Sequence, residues 1–213
     1  MTSADDRSDA DVDGRAPRRQ ARGQRRIEEI LDAAGRVFVR EGYDAATTNA
    51  VAKEAGISPG SLYQYFRNKD EIAQGLAVRY AAGLAELQRA AFDGVDPQGL
   101  SLEDLVRRVI DPVVAFNVAH PAFKTLFART DPPPGLAEAT APLDASIHER
   151  AAALVAARAP QLAPADAARV SVVATQLVRA MMPLVVAASG AERERLAAEA
   201  RSAVAAYLRV ALG

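Results

Sequence analysis

Apolar side chains recur at helical spacing along most of the chain. Between about Gln24 and Glu41 they fall three or four residues apart, at Ile27, Ile30, Leu31, Ala34 and Phe38, which is the period of one face of an α-helix. The same spacing continues in later segments, which run over about 68–91, 101–119, 122–129, 142–158, 164–188 and from 189 towards the end. Few stretches alternate β-branched and aromatic residues. The pattern predicts an all-α fold of about nine helices.

Two short helices separated by a tight turn are predicted between residues 47 and 66. Thr47 and Thr48 offer hydroxyl oxygens to the free N–H groups at a helix start. Gly56 can adopt the left-handed conformation that ends a helix. Ser58 then stands where an N-cap belongs, and Pro59 occupies the first helical position, where its missing N–H costs nothing.

Two short helices with glycine in the turn are typical of the helix-turn-helix unit, whose second helix enters the DNA major groove. The segment AGISPGSLYQYFRNKDEI resembles the signature of TetR-family regulators, and the resemblance is specific over about residues 24–72. It implies a helix-turn-helix head over 23–72, followed by a helical ligand-binding and dimerisation domain over 73–213. By position it implies these DNA contacts: Thr47, Thr48, Ser58, Pro59, Gly60, Ser61, Tyr63, Tyr65 and Lys69. Because the family commonly has threonine at position 61 and often histidine at 65, Ser61 and Tyr65 leave the base preference open.

Charge is unevenly distributed although the net charge is −1. Residues 1–14 hold five Asp against Arg7, whereas residues 15–70 hold eleven Lys or Arg against seven Asp or Glu. The positive block coincides with the helix-turn-helix, as a phosphate-binding surface requires; a merely solvated surface would give the same count. Residues 1–22 lack apolar periodicity and are predicted to be a disordered acidic and basic arm whose arginines can contact DNA phosphates.

The second domain is expected to hold a small-molecule cavity between helices 4, 5, 7 and 8. Its predicted lining is mostly apolar with a few polar points: Phe116, His120, Phe123, Phe127, Gln176, Met181 and Met182. No arginine or lysine belongs to this set, so we predict a neutral or weakly polar effector. Each residue could instead be ordinary core, because methionine and phenylalanine fill gaps in any helical bundle.

The last two helices are predicted to form a homodimer interface. The helix over 164–188 is apolar on two faces and therefore needs two partners. In proteins that this chain resembles, the last two helices pair with their copies in a second subunit, although a monomeric core would explain the same pattern. A dimer would place two heads on a pseudo-palindromic operator. The resemblance therefore implies a ligand-responsive transcriptional regulator, most often a repressor.

Two other functions are compatible with parts of the sequence. Gly56, Ser58 and Gly60 match G-x-S-x-G, the nucleophile elbow of α/β-hydrolases, with His148 as a nominal base. That elbow needs a buried strand before the serine, whereas VAKEA is helical in pattern and charged. The second alternative is a small-molecule binder or enzyme whose helix-turn-helix head has lost its DNA affinity. An electrophoretic shift assay would distinguish such a protein from a DNA-binding regulator. We therefore predict no enzyme and no catalytic residues.

Composition excludes several kinds of site. The chain has no cysteine, so disulfides and thiolate chemistry are absent, and its two histidines show no metal-ligand spacing. No metal and no cofactor is predicted. The longest apolar run, Ala180 to Ala188, is far shorter than the ~20 residues of a membrane span, and residues 1–13 lack the apolar core of a signal peptide. We predict a cytoplasmic protein without a membrane partner.

Overall fold

The computed structural model describes residues 15–94, 96–127 and 133–213, without the side chains of 15–19, 124 and 127. These residues contain nine α-helices and no strand, which confirms the all-α prediction. The helices are α1 Arg15–Glu41, α2 Thr48–Glu54, α3 Pro59–Tyr63, α4 Lys69–Phe92, α5 Leu102–Ala119, α6 Pro121–Phe127, α7 Leu136–Arg158, α8 Pro164–Ala187 and α9 Gly190–Leu212. The chain divides into two compact units, Met1–Ile72 and Ala73–Gly213, and the boundary falls inside α4.

The first helix begins earlier than the sequence predicted. α1 starts at Arg15, within the arm that was expected to be disordered over residues 1–22. For residues 15–22 that expectation is wrong, and residues 1–14 lie outside the described part of the chain. Alanine, arginine and glutamine are good helix formers, and adding a residue to an existing helix costs far less than nucleating one. The packed half of α1 can therefore propagate into a segment that has no apolar stripe.

The first unit packs α1, α2 and α3 around a small core. Ile30, Phe38, Val51 and Leu62 are fully buried there. The core repeats the residues that the apolar spacing had indicated, because all three helices present one face inward.

An ion-pair network braces α1 against α2. Arg36 donates to Glu54 at 2.7 Å and Arg40 donates to the same carboxylate at 3.1 Å. These two hydrogen bonds hold the pKa of Glu54 below its ordinary value. The brace fixes α2 at its C-terminal end, just before the turn that leads to α3.

In the second unit α8 packs against α5, α7 and α9. One buried cluster joins Val106 and Ile110 of α5 to Val170 of α8 and Val204 of α9. By length and composition α8 could also cross a membrane. Because α8 contacts three other helices, packing within the helical bundle accounts for its apolar side chains.

Two helix starts differ from the sequence predictions. α7 begins at Leu136 and includes Pro142, although it was expected to begin after that proline. Burial of Leu136 and Thr140 on one face holds this first part of the helix. At α9, Ser189 followed three residues later by Glu192 is the sequence pattern of a capping box, but Ser189 makes no side-chain cap bond. Instead the Arg193 guanidinium donates to the carbonyl of Ala188 at 2.7 Å.

Candidate DNA interface and ligand cavity

The turn between α2 and α3 has the predicted geometry. The Thr47 hydroxyl accepts from the N–H of Ala50 at 3.1 Å, which caps α2. Gly56 has φ of 68°, in the left-handed region that favours glycine. The Ser58 hydroxyl then accepts from the N–H of Ser61 at 3.1 Å and caps α3, with Pro59 behind it. Ser58 thus follows helical turns and not a strand, so the hydrolase-elbow reading is wrong.

The outer side of α3 forms a polar and aromatic surface, which we call the recognition surface. Tyr63 is half exposed, and its hydroxyl lies 3.1 Å from Oγ1 of Thr48. This bond joins the start of α2 to the end of α3. The surface comprises these residues, all exposed or half-buried: Thr47, Thr48, Ser58, Pro59, Gly60, Ser61, Tyr63 and Tyr65.

Lys69, the remaining predicted DNA contact, is turned inward onto the first unit. Its ammonium donates to the backbone carbonyls of Tyr43 at 2.8 Å and Asp44 at 3.0 Å. The same nitrogen lies 4.5 Å from the centre of the Tyr43 ring, a cation–π distance. Lys69 therefore ties the start of α4 to the loop after α1.

A cap also fixes the start of α4. The Asn68 side chain accepts from the N–H of Glu71 at 2.8 Å, as the sequence predicted. The Glu71 carboxylate accepts from the N–H of Arg67 at 2.7 Å, one residue before the position of a standard capping box. This backbone bond is the main cause of the lowered pKa of Glu71. The direction of α4 as it leaves the first unit is thus set by several bonds.

The second unit holds a cavity of about 320 Å³ between α4, α5, α7 and α8, with Phe123 contributed by α6. Its size is at the lower end of small-molecule sites. Most of the wall is apolar, with side chains such as Leu84, Val113, Ile147 and Met182.

The structure brings only part of the predicted ligand set to this cavity. Phe123 and Met182 line it. Phe116 and His120 pack with Tyr80 and Phe123 in an aromatic cluster, with the Phe116 and His120 ring centres 4.4 Å apart.

The other predicted ligand residues lie elsewhere. Within the described residues, exposed Gln176 and half-buried Met181 do not border the cavity. The side chain of Phe127 lies outside the described part.

His120 lies in this aromatic cluster away from the cavity wall. Burial lowers the pKa of its imidazole, and the positive charge of Arg79 lowers it further. The histidine is therefore poised to stay neutral, and the cluster acts as packing beside the cavity.

Sequence reasoning missed the polar side chains of the cavity wall. Gln88 of α4 is only 7% exposed, and its Oε1 has no hydrogen-bond partner among the described residues. Arg179 and Asp144 also border the cavity and form an ion pair. The expectation that no arginine or lysine belongs to the site is therefore wrong. Asn117, Thr140 and Thr175 complete the polar set.

Gln88 could have been found from spacing alone. Ile72, Leu76, Tyr80 and Leu84 form a row four residues apart, and the next position in that row is Gln88. The neighbouring apolar residue, Leu87, falls outside this row and is 38% exposed in the structure.

Comparisons with known proteins agree with this architecture. Residues 30–76 match the family described as bacterial regulatory proteins, tetR family. Residues 101–208 match the family described as tetracyclin repressor-like, C-terminal domain.

Individual relatives match over part or most of the chain. The HTH-type transcriptional regulator YhgD of Bacillus subtilis is 31% identical over 91 residues, which are 43% of this chain and 46% of that protein. The chain thus matches less than half the length of this curated relative. A TetR-family transcriptional regulator from Streptomyces coelicolor is 27% identical, with a TM-score of 0.59 over 88% of this chain and 99% of that one.

A third relative shares the fold. The TetR-family regulator PfmR of Thermus thermophilus is 21% identical, with a TM-score of 0.65 over 86% of this chain and 96% of that one. The two family matches include both the helix-turn-helix and most of the second unit, and this family comprises regulators and not enzymes, as predicted. The chain therefore belongs to the TetR family of transcriptional regulators.

Proposed function

We propose that this TetR-family protein is a homodimeric repressor that binds a pseudo-palindromic operator through the recognition surface and leaves it when a small molecule occupies the cavity. The continuity of α4 carries this proposal. One end of the helix bears Lys69 and the Asn68 cap in the first unit, and further along it Leu84 and Gln88 line the cavity in the second.

Operator contact is supported by the chemistry of α3. Ser58, Pro59 and Gly60 are exposed at the N-terminal end of this helix, where small side chains let the backbone approach DNA closely. Tyr63 and Tyr65 present hydroxyl groups that can bind phosphates or base edges. Each subunit would supply one such surface, and the two would meet successive major grooves ~34–36 Å apart.

Dimerisation is supported by the exposed apolar side chains of the last two helices. Val172, Val173 and Leu184 of α8 are 38–54% exposed, and Val210 of α9 is 86% exposed. A second copy of the same face would bury them across a twofold axis. The site of action is the cytoplasm, where bacterial DNA is found.

Release requires only that the ligand prefers one conformation. A ligand that binds the DNA-incompetent conformation ~100-fold better opposes operator binding by about 2.7 kcal/mol per site. The cavity would then act through α4, because this helix is continuous from Lys69 to the cavity residues Leu84 and Gln88.

The test is an electrophoretic shift with the DNA upstream of the protein's own gene. Tyr63→Ala should weaken binding by about 1–3 kcal/mol, since it removes a DNA contact and the Thr48 bond. Arg107→Ala, which removes an exposed charge on α5, is the control and should bind as the wild type does. Operator affinity unchanged by Tyr63→Ala would refute the recognition surface, and absence of any DNA binding by the wild type would refute the function.

A further inference from the structure

The cavity beside Gln88 adjoins a second one. This second cavity has a volume of about 110 Å³. Six side chains border both: Phe92, Val109, Ile110, Ala151, Thr175 and Val178. We call the two adjoining cavities the bundle channel.

Three helices, α5, α7 and α8, each border the second cavity with one part and the first cavity with another. Along α8 the second cavity is bordered from Ser171 to Val178, and the first from Thr175 to Val186. At about 1.5 Å per helical residue, the stretch from Ser171 to Val186 is about 22 Å long. α7 runs the other way, from Thr140 at the first cavity to Arg158 at the second. The space is thus elongated along the bundle.

The two ends of the bundle channel differ in polarity. The second cavity is walled mainly by aliphatic side chains, and its polar residues already have partners. Arg158 donates to the carbonyl of Leu100 at 2.6 Å, and the Ser171 hydroxyl donates to that of Ala168 at 2.8 Å. This end therefore suits a hydrocarbon chain.

Gln88 provides an unused acceptor at the other end. A buried amide oxygen without a hydrogen bond is costly, so a ligand that donates to Oε1 of Gln88 gains a bond that the protein itself leaves unmade. Gln88 lies one helical turn before Phe92, which stands at the junction of the two cavities. A ligand with its chain in the second cavity would bring its polar end to Gln88.

The ion pair beside the first cavity disfavours a charged ligand. Asp144 already occupies Arg179, so an incoming carboxylate would meet the repulsion of Asp144. A cation would meet Arg179 in the same way. A neutral polar end avoids both costs.

We propose that the bundle channel binds a neutral amphiphile, with an unbranched apolar chain in the second cavity and a hydroxyl or amide N–H that donates to Oε1 of Gln88. This ligand class rests on the proposed function only in that its binding would release the operator. Binding itself is measured on the full chain without DNA, so it is tested separately.

The first experiment compares ligands of one chain length with different polar ends. Calorimetry should show that dodecanol and lauramide bind, and that methyl laurate, which has no donor, binds about tenfold more weakly. In Gln88→Met the acceptor is lost, so dodecanol and lauramide should fall to the affinity of methyl laurate. The variant should also melt at a higher temperature without ligand, because it no longer buries an unsatisfied oxygen.

Comparing dodecanol with lauramide shows whether a hydroxyl or an amide N–H is the better donor to Gln88. Binding of either compound supports a neutral amphiphile as the ligand. Equal wild-type affinity for methyl laurate and dodecanol would overturn the role of Gln88. Should Gln88→Met fail to fold, Asp144→Asn is the second variant. It frees Arg179, so it should raise the affinity for laurate about tenfold and leave that for dodecanol unchanged; no gain for laurate would contradict the charge argument.

The second experiment tests the length of the channel. Wild-type protein should bind dodecanol more tightly than octanol by about tenfold or more, because the longer chain buries several more methylene groups. Ala174→Leu adds a side chain to the wall of the second cavity alone. It should remove the preference for dodecanol and leave octanol binding intact. A preference that survives this substitution would show that the chain does not enter the second cavity.

Discussion

Lys69 has a structural role in the first unit and is also a predicted DNA contact. Its ammonium bonds to the carbonyls of Tyr43 and Asp44 and lies over the Tyr43 ring. A phosphate could join this arrangement, because an ammonium has three donors and two are used here. Lys69 would then bond to the loop after α1 and to a DNA phosphate at the same time.

We predict that Lys69→Met lowers the free energy of unfolding by about 1–3 kcal/mol, since it leaves two carbonyls without their charged donor. It should also weaken operator binding and reduce the salt dependence by about one phosphate contact. Urea unfolding and shift assays at several salt concentrations measure the two effects. Lys53→Met, on the exposed side of α2, is the stability control. Wild-type stability in Lys69→Met would contradict the structural role.

His120 makes stability depend on pH. Burial beside Phe116 and the charge of Arg79 lower the pKa of its imidazole from the ordinary value of 6.5. As pH falls, the unfolded chain binds the proton before the folded one does. The full stability is therefore present above 6.5 and is lost as pH falls from there through the lowered pKa.

His120→Phe should remove this part of the pH dependence, because phenylalanine keeps the ring and cannot be protonated. Unfolding by urea is to be measured one pH unit above and one below the ordinary imidazole pKa. Wild-type protein should lose stability over that interval and the variant should lose less. The same loss in both proteins would show that another group titrates there.

At the scale of helices, three serines of the described residues stand at N-cap positions, and Ser58 and Ser101 cap their helices whereas Ser189 does not. The Ser101 hydroxyl accepts from the N–H of Asp104 at 3.1 Å at the start of α5. Ser189 occupies the same position before α9 without such a bond. Comparing Ser101 with Ser189 tests whether a serine at an N-cap position raises the free energy of unfolding only when it makes the cap bond.

Ser101→Ala should cost about 1 kcal/mol of stability, as N-cap removal usually does. Ser189→Ala should leave the free energy of unfolding within a few tenths of a kcal/mol, because no cap bond is lost. Thermal or urea unfolding of both variants measures the difference. Equal losses would mean that Ser189 caps α9 in solution.

The molecule as a whole has an apolar surface that one chain leaves exposed. Val173 and Leu184 share one face of α8 and lie on this surface, whereas Leu177 and Tyr207 pack partly against the inner core of the second unit. Leu177→Glu and Tyr207→Glu would therefore damage the fold as well as any seam between subunits. The exposed pair is the better place to test dimerisation.

We expect Leu184→Glu, with or without Val173→Glu, to yield a folded monomer, because the new charge is solvated in one chain and buried in a dimer. Sedimentation at micromolar concentration and circular dichroism measure the two properties. Leu177→Glu should instead lower the melting temperature. Wild-type protein that sediments as a monomer would refute the dimer, and a dimeric Leu184→Glu protein would place the interface elsewhere.

Local chemistry determined most of the helical pattern and the helix-turn-helix. Gly56, Ser58 and Pro59 act through their own backbone and caps, so their roles follow from neighbouring residues. Asn68 and Ser101 likewise cap α4 and α5 through bonds to residues three positions later. Family resemblance over residues 24–72 then supplied the expected DNA contacts, which remain predictions.

Tertiary structure decided which polar groups face inward and which apolar ones remain outside. Nothing in the sequence indicated that Oε1 of Gln88 would lack a partner, or that Arg179 meets Asp144, thirty-five residues away along the chain. The sequence also could not show that Lys69 turns to Tyr43. A side chain's burial depends on where other helices pass, and a buried polar group persists only where the assembled fold or a ligand satisfies it. Periodicity records the average face of a helix, whereas the cavity and its unused acceptor exist only once α4, α5, α7 and α8 have packed.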